Sequence, residues 1–502
     1  MKLLTEQHKE QISGILSCYD RVIITGTLPT VCFAEGMTSW LYAHNIRIFD
    51  YKKMADDLRL NLRENADKMA AANNIEIEHI RKKNIRKESI IQKRIQTRGD
   101  HPGLVHIIST METCSCYTPW HNKQTHKTFV KPGTSQCLHY YFYFIDETLG
   151  LCYMRVPTWA PFRLQFYYNG HNWLASELKR QGIHYSLIDN AFNAIVNFDA
   201  AQKLADGLDV DVLHRILDNY SRLFCPVTDL FEQDYHWSIM QAEYATDIVF
   251  KEQAGLKSIY DDLIATAIHT VKPDNIATFL GRKLHGNYQQ EMGNRYNVRL
   301  EGSRIKHSMG KCSIKMYDKF QIILRIETTT NDVTFFQHYR TVEHRDGTTS
   351  KKYASMKKNI YSLKPLKKNL KASNRRYLEF ISAFKLNTNG REKLNKLSQP
   401  KAENGRNFRG FNFFDKNDLN LLLIIVRGEF LINGFRNKNI RYFYKGKSSS
   451  QISRMLKRLR LHQLIRKVTG CHKYYLTALG KQIICAALSI KEQALIPAVN
   501  SA

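Results

Sequence analysis

Three short runs of alternating apolar and polar residues, all within residues 297–331, constrain this chain more than any other feature. The segment has the sequence NVRLEGSRIKHSMGKCSIKMYDKFQIILRIETTTN. The runs are Val298–Ile305, Ser313–Tyr317 and Ile322–Thr328. Because successive side chains of a strand point to opposite faces, such runs predict half-buried antiparallel strands. We therefore expect a central antiparallel sheet.

The turn between the second and third runs decides which side chains share a face. A three-residue turn, Lys319 to Gln321, aligns the apolar positions. A two-residue turn shifts the pairing by one and places Tyr317 among the aliphatic side chains. The binary pattern favours the three-residue turn. One face then presents a phenol, two carboxylates and three cations: Arg299, Glu301, Lys315, Tyr317, Arg325 and Glu327.

This face has the groups that a tyrosine nucleophile needs to attack a phosphodiester. Tyr317 supplies the phenol, and Lys315 and Arg325 are cations for the phosphate. Glu301 and Glu327 are candidate ligands for Mg²⁺ or Mn²⁺. The same pattern also fits a solvated hairpin face that has no chemistry.

The segment resembles part of the plasmid rolling-circle replication initiators. The matching residues are Gly302-Ser303-Arg304, Tyr317-Asp318-Lys319, Arg325 and Glu327. The resemblance implies a nickase-type sheet in which a tyrosine becomes linked to a DNA 5′ phosphate beside a metal ion. The chain departs from the family in its short turn after the Tyr-Asp-Lys triplet and in having no His-hydrophobe-His motif.

Composition predicts a globular protein with a polyanionic partner. Lys and Arg number 75 against 46 Asp and Glu, which gives a net charge of +29 and a pI near 9.6. Such a charge favours nucleic acid, with DNA first and structured RNA as the alternative. A membrane partner is not expected, because no apolar run reaches eighteen residues. The oligomeric state stays open, and a homodimer is compatible with the sequence.

The ten cysteines are expected to be reduced thiols in a cytoplasmic protein. The first twenty residues carry charges every few positions, unlike a secretory signal peptide. Cys114, His121, Cys137 and His139 are candidates for a structural zinc site, since zinc needs four N or S ligands. Ordinary burial of cysteines in a strand is the alternative.

Other acids are candidate ligands for a divalent metal. Asp20 directly precedes a predicted strand, Arg21–Leu28, and Asp146 ends another. Carboxylates at strand ends open the metal site of RNase H-like nucleases, although Asp is also a common turn residue. Glu243 and Asp247 lie four residues apart on a predicted helix, Ser238–Val249, and share one of its faces.

A basic segment follows the predicted sheet. Residues 351–376 contain ten basic side chains and no acid. Such a segment repels itself unless it is solvated or lies on phosphates. The proposed contacts are Lys351, Lys352, Lys357, Lys358, Lys367, Lys368, Arg375 and Arg376.

Residues 415–490 have the order helix, helix, basic helix, two strands, helix, which is the order of a winged helix. The phrases SRMLKRLRLHQLIRKV and YYLTALGKQI resemble the MarR-like winged-helix repressors. The third helix, predicted over residues 447–462, is expected in the major groove. Its proposed contacts are Ser449, Ser450, Gln451, Arg454, Lys457 and Arg458, with Lys473 on the wing.

The sequence thus predicts an α+β multidomain protein. The expected segments are a mixed N-terminal α/β domain (1–110), an aromatic-rich β/α region with the Cys/His candidates (111–240), a nickase-like antiparallel sheet with helices and the basic segment (241–386), a linker (387–408) and a winged helix (409–502). Three functions fit: a nucleic-acid-binding protein of a mobile element or plasmid, a tyrosine-dependent nicking enzyme, and an RNase H-like nuclease.

Overall fold

The computed structural model describes residues 3–81, 85–284, 288, 291–299, 302–382, 397–403, 405–412, 415–444 and 446–490. The chain divides into two compact units. The first unit comprises Met1–Ile15, Ala245–Thr328 and Asn369–Ala502. The second unit comprises Leu16–Tyr244 and Thr329–Lys368.

Nineteen strands are found in the described residues. They are β1 Ile12–Thr27, β2 Ile77–His79, β3 Gly103–Asn122, β4 Lys127–Asp146, β5 Gly150–Pro157, β6 Leu164–Asn169, β7 Tyr185–Ile188, β8 Ala191–Ile195, β9 His236–Phe250, β10 Met292–Arg299, β11 Gly302–Met309, β12 Cys312–Lys319, β13 Ile323–Thr330, β14 Gln337–Glu343, β15 Thr349–Ser355, β16 Lys401–Glu403, β17 Arg406–Phe408, β18 Ile465–Lys467 and β19 Tyr474–Leu476.

The helices flank these strands along the chain. They are α1 Leu4–Gln7, α2 Ala34–Ala43, α3 Tyr51–Ala72, α4 Lys87–Arg98, α5 Gly170–Arg180, α6 Phe198–Ala205, α7 Val210–Phe224, α8 Thr228–Phe231, α9 Gln253–Thr270, α10 Pro273–Phe279, α11 Leu363–Ser382, α12 Lys416–Ile425, α13 Gly428–Asn433, α14 Asn437–Tyr442, α15 Ser449–Leu461 and α16 Ala478–Ile490. The predicted α+β class is confirmed.

Eleven strands form one large mixed sheet in the order β10-β11-β12-β13-β9-β1-β6-β5-β4-β3-β2. Strand β2 pairs parallel with β3, whereas β3 to β6 pair antiparallel with their neighbours. Strand β1 pairs antiparallel with β6, so that Arg21 lies opposite Asn169. The sheet is larger than the predicted one, because it also contains strands from the first 170 residues.

The central strands are buried over long stretches. In β1 the five residues from Leu16 to Asp20 are all buried, and in β13 all eight residues are buried. A strand that is covered on both faces loses the alternation of apolar and polar residues. This explains why β1 is longer than its predicted strand, which began only at Arg21.

Several predicted elements are wrong. The predicted helix Ser238–Val249 is part of strand β9. The predicted run Val298–Ile305 falls in two strands, β10 and β11, which pair so that Arg299 lies opposite Gly302. In the linker, residues 401–408 contain the β16–β17 hairpin, and residues 383–396 lie outside the described residues.

The aromatic side chains of the second unit mostly fill its core. Phe142 and Phe144 are each 1% exposed, and Tyr168 is fully buried. Within the described residues, none of the helices combines the length and the apolar character that a membrane span requires.

A buried histidine stabilises the first unit only while it is neutral. His307 on β11 lies 2.7 Å from Asn294 Oδ1 through Nδ1 and 3.0 Å from the Tyr377 hydroxyl through Nε2. The amide oxygen accepts a hydrogen bond from Nδ1–H, so Nε2 accepts one from the tyrosine. Burial lowers the pKa of His307 to about 3 from its ordinary 6.5.

We expect His307 to make folding sensitive to acid. Since its pKa is lower in the folded chain, the unfolded chain takes up the proton first. The contribution of neutral His307 to the free energy of unfolding is then fully present above pH 6.5. This contribution decreases by about 1.4 kcal/mol per pH unit as the pH falls towards 3. Urea unfolding at pH 7 and pH 5 should show a smaller loss for His307→Gln than for the wild type. Equal losses in both proteins would contradict this role.

Candidate functional site

A buried carboxylate, Asp20, lies within the central strand β1 and not at its start as predicted. Its side chain is almost fully buried. Asn190 and Asn169 donate side-chain hydrogen bonds to Asp20 Oδ1 over 2.7 Å and 3.2 Å. His171 Nδ1 lies 3.3 Å from the same oxygen. These donors offset the desolvation that a buried carboxylate suffers.

A second carboxylate of the same unit, Glu243, lies on β9 and is half-buried. Gln241 donates to Glu243 Oε1 over 3.2 Å, and Thr329 Oγ1 lies 3.5 Å from that oxygen. Asp20 and Glu243 each place a carboxylate oxygen within 4.8 Å of the other. Mg²⁺ and Mn²⁺ prefer oxygen ligands, and one or two protein carboxylates suffice for such an ion. The pair therefore fits a divalent cation.

A cation accompanies this acid pair. Arg21 follows Asp20 on β1 and is exposed. Burial of part of the guanidinium lowers its pKa, but the Glu243 carboxylate and then Asp20 outweigh this, and the net pKa is raised. Arg21 thus stays charged beside the two acids, where it offers a donor fork for a phosphate.

The predicted tyrosine face is present in the first unit. The Tyr317 hydroxyl donates a 2.7 Å hydrogen bond to Glu327 Oε2, and Lys315 Nζ lies 2.5 Å from Glu327 Oε1. Three residues, Phe320 to Ile322, separate β12 from β13, one position later than predicted. Because Tyr317 contacts Glu327, the prediction that these two side chains share a face is confirmed.

Arg325 occupies a different environment from the one expected of a phosphate-binding cation. Its guanidinium is fully buried and forms two 2.6 Å bonds to Asp247 on β9. Two nitrogens that could bind a phosphate, Nε and Nη2, therefore already donate to the Asp247 carboxylate. Glu301, the other predicted metal ligand of this face, lies outside the described residues.

A further acid, Glu327, lies on β13 in the first unit, whereas Asp20 and Glu243 belong to the second unit. Of these residues, only Glu327 was predicted with its correct position on a strand. Asp20 was paired with the wrong acid, and Glu243 was assigned to a helix.

Asp146 has a structural role at a turn, far from Asp20. Its carboxylate accepts the backbone N–H groups of Thr148 and Leu149, both over 2.9 Å, and the Tyr220 hydroxyl over 3.1 Å. Asp146 ends β4, which is separated from β1 by β5 and β6. Three strand spacings amount to roughly 14 Å. The predicted pairing of Asp146 with Asp20 at one metal site is therefore wrong.

The predicted zinc ligands are only partly together. Cys137 Sγ lies 3.7 Å from His139 Nδ1, and Cys137 and Cys114 share a hydrogen bond. His121 lies opposite Thr128 on the β3–β4 hairpin and contacts its hydroxyl over 2.9 Å. Seven residues separate it from Cys114 along β3, which is roughly 23 Å. His121 therefore does not complete a tetrahedral site.

The predicted DNA contacts fall into two groups. Ser449, Ser450, Gln451 and Arg454 are exposed on the first turns of α15. The later residues make internal contacts. Lys457 Nζ lies 2.7 Å from Glu403. Arg458 forms bonds of 2.6 Å and 2.8 Å to Asp418 and also donates to two backbone carbonyls. Lys473 is half-buried, 5.4 Å from the Tyr475 ring.

The basic segment is divided between strand β15 and helix α11. Its exposed members are Lys351, Lys352, Lys357, Lys358, Lys364, Lys368 and Arg375. Lys367 donates to the Asp206 carbonyl over 2.6 Å, and Arg376 donates to the Phe279 carbonyl over 2.7 Å and 2.9 Å. The side chains of these two residues are therefore hydrogen-bonded within their own units.

No family model, no curated protein and no solved structure matches this chain. We therefore infer its function from the residues described above.

We expect Mn²⁺ to stabilise the protein through Asp20 and Glu243. A ligand that binds only the folded chain stabilises it by about 2.7 kcal/mol at one hundred times its Kd. Thermal unfolding with and without Mn²⁺ should show this gain for the wild type and a smaller gain for Asp20→Asn and Glu243→Gln. The Asn variant keeps an oxygen for Asn169 and Asn190, so it tests charge more than packing.

Asp146→Asn is the matched control for this experiment. It removes a carboxylate of the same unit that serves a turn, so its response to Mn²⁺ should equal that of the wild type. A full Mn²⁺ response in Asp20→Asn and Glu243→Gln would show that these acids do not bind the ion.

Proposed function

We propose that the protein binds duplex DNA through a winged-helix arrangement in its C-terminal residues. The observation that carries this proposal is the exposed, polar N-terminal half of α15, which includes Arg454 and is followed along the chain by the β18–β19 hairpin. An isolated bridge pairs Phe435 with Tyr474, which adds a short third strand to the hairpin. Helix, short strand, two helices and a two-stranded wing are the order expected of that arrangement.

The core of this segment supports α15 along one side. Ile452, Leu456 and Leu459 are buried in an apolar cluster that also contains residues of α12 and α14. Ser448 Oγ caps the helix by accepting a hydrogen bond from the Gln451 backbone N–H. In turn, Gln451 Oε1 accepts a hydrogen bond from the Ser448 backbone N–H. Such a cap fixes the start of the helix. The opposite side, with Ser450, Gln451 and Arg454, stays free of the core.

The internal contacts of Lys457 and Arg458 narrow the proposed DNA-binding set. Arg458 crosses from α15 to Asp418 on α12, and the Asp418 side chain is itself buried. Removing the Arg458 side chain would take two charge-assisted hydrogen bonds from this buried carboxylate, which is destabilising. The proposed base contacts are therefore Ser449, Ser450, Gln451 and Arg454.

Arg454→Ala should weaken binding of the full chain to duplex DNA by roughly 1–3 kcal/mol, because one arginine contact to a base edge is lost. Arg460→Ala is the matched control. It removes an exposed arginine from another face of the same helix. Fluorescence anisotropy with a labelled duplex would measure both affinities. Equal affinity of Arg454→Ala and the wild type would contradict major-groove binding by α15.

The tyrosine face of the first unit supports a second function, which we propose as metal-assisted cleavage of a phosphodiester. The supporting observation is the hydrogen bond from Tyr317 to Glu327. A divalent ion bound to Glu327 would polarise the phosphate oxygens. The resemblance to rolling-circle initiators in residues 297–331 agrees with this chemistry.

In this proposal the Tyr317 oxygen attacks phosphorus while its proton passes to Glu327. A bond forms between Tyr317 Oη and phosphorus, and the bond from phosphorus to the 3′ oxygen breaks. The leaving 3′ oxygen takes a proton from water. The product is a DNA strand with a free 3′ hydroxyl and a 5′ phosphate linked to the protein. Lys315 Nζ contacts Glu327 Oε1 and places a positive charge beside the reacting groups.

Supercoiled DNA incubated with the protein and Mn²⁺ should become nicked, and denaturing electrophoresis should show a protein–DNA adduct. Tyr317→Phe removes one oxygen and should abolish the adduct while duplex affinity is unchanged. Glu327→Gln should abolish both nicking and the adduct. Nicking by Tyr317→Phe at the wild-type rate would show that water, and not Tyr317, is the nucleophile. Nicking that persists in Glu327→Gln would contradict the metal role.

A further inference from the structure

The hairpin β14–β15 has a solvent-exposed face that the proposed function does not use. The two strands form a sheet of their own within the second unit. Tyr339 lies directly opposite Tyr353 in the register, and Thr341 lies opposite Lys351. Residues at these positions point to the same face because side chains alternate along each strand.

This face is exposed along nearly its whole length. Tyr339 is 64% exposed and Tyr353 is 68% exposed. Thr341, Lys351 and Ser355, which share the face with them, are also exposed. The side chains of the other face are mostly half-buried. Two large rings therefore lie side by side in solvent.

The hairpin is also strongly basic. Residues 337–358 contain six Lys and Arg side chains and two acids. One acid, Asp346, is engaged in the turn, where it accepts the N–H and hydroxyl of Thr348. Lys351, Lys352 and Lys357 are exposed, and none of them forms an ion pair with the residues that the structure describes. The electrostatic field of the hairpin thus favours a polyanion.

We propose that this hairpin binds single-stranded nucleic acid, with bases stacked on Tyr339 and Tyr353 and a phosphate on Lys351, which shares their face. Exposed rings beside cations are the combination that binds unpaired bases regardless of sequence. A duplex hides its base faces within the helical stack, so only an unpaired strand offers them to the rings. A second copy of the hairpin carries the same charge and would be repelled.

This inference rests on the proposed nucleic-acid binding but concerns a different surface and a different form of the ligand. It is independent of cleavage by Tyr317. In a nicking protein, such a surface would hold the strand that becomes unpaired near the cut. In a protein that only binds, it would hold a single-stranded region beside a duplex site.

The test compares the binding of a labelled single-stranded 20-nucleotide DNA with that of a duplex of the same sequence, using the full chain. The double variant Tyr339→Ala/Tyr353→Ala should lose at least fivefold in single-strand affinity, because stacking contributes roughly five- to 150-fold per base. Tyr339→Phe/Tyr353→Phe keeps both rings and should bind like the wild type. Lys351→Gln should reduce the salt dependence of single-strand binding.

Phe49→Ala is the control for loss of an exposed ring, since Phe49 is 65% exposed in the same unit. Its single-strand affinity should match that of the wild type. An unchanged affinity in the double alanine variant would overturn the proposal. An equal loss for single strand and duplex would overturn it as well, because stacking on unpaired bases predicts a selective loss.

The two rings could instead serve only to stabilise the hairpin, and the same variants distinguish that role from binding. Aromatic pairs across a hairpin stabilise it by roughly a few tenths of a kcal/mol to one kcal/mol. If that were their whole role, thermal unfolding would shift while the ratio of single-strand to duplex affinity stayed constant. If instead the C-terminal helix α15 does not bind DNA, Arg454→Ala should bind duplex as tightly as the wild type. The double alanine variant of the tyrosines should still show a selective loss of single-strand affinity.

Discussion

The buried ion pair between Arg325 and Asp247 is the interaction on which the centre of the sheet depends. Both side chains are almost fully buried and are joined by two hydrogen bonds. Loss of one partner leaves an uncompensated charge in the interior, which typically costs 3–5 kcal/mol. A slip of one residue between β9 and β13 would separate the pair and reverse the faces of both strands. The pair thereby fixes where Glu243 and Glu327 emerge.

A second constraint is the presence of acids in the middle of a very basic chain. Asp20 is buried and receives two amide hydrogen bonds, which reduce the cost of its desolvation. Its neighbour Glu243 is close enough for mutual repulsion, which a divalent ion or Arg21 would relieve. Acids placed in this way are more readily explained by a ligand than by stability, since apolar residues would pack there at lower cost.

The surfaces proposed for nucleic acid share a design although they lie in different units. In each, a secondary-structure element is held by a core or by strand pairing on one side and presents basic residues on the other. On α15 the polar residues suit the edges of paired bases. On the β14–β15 hairpin the rings suit the faces of unpaired bases. Cations such as Lys367, Arg376 and Arg458 are engaged internally, so net charge alone overstates the surface available to phosphates.

The sequence by itself determined the local elements with strong periodicity. The alternation in residues 313–328 predicted β12 and β13 and the shared face of Tyr317 and Glu327, and helical spacing predicted α3 and α15. Only the tertiary structure decided that residues 236–250 are a strand. Its buried half has no alternation, and a four-residue spacing of acids fits one face of a strand as well as of a helix. The meeting of Asp20 and Glu243 was equally beyond the sequence, because strand order depends on pairing across hundreds of residues, which leaves no local pattern.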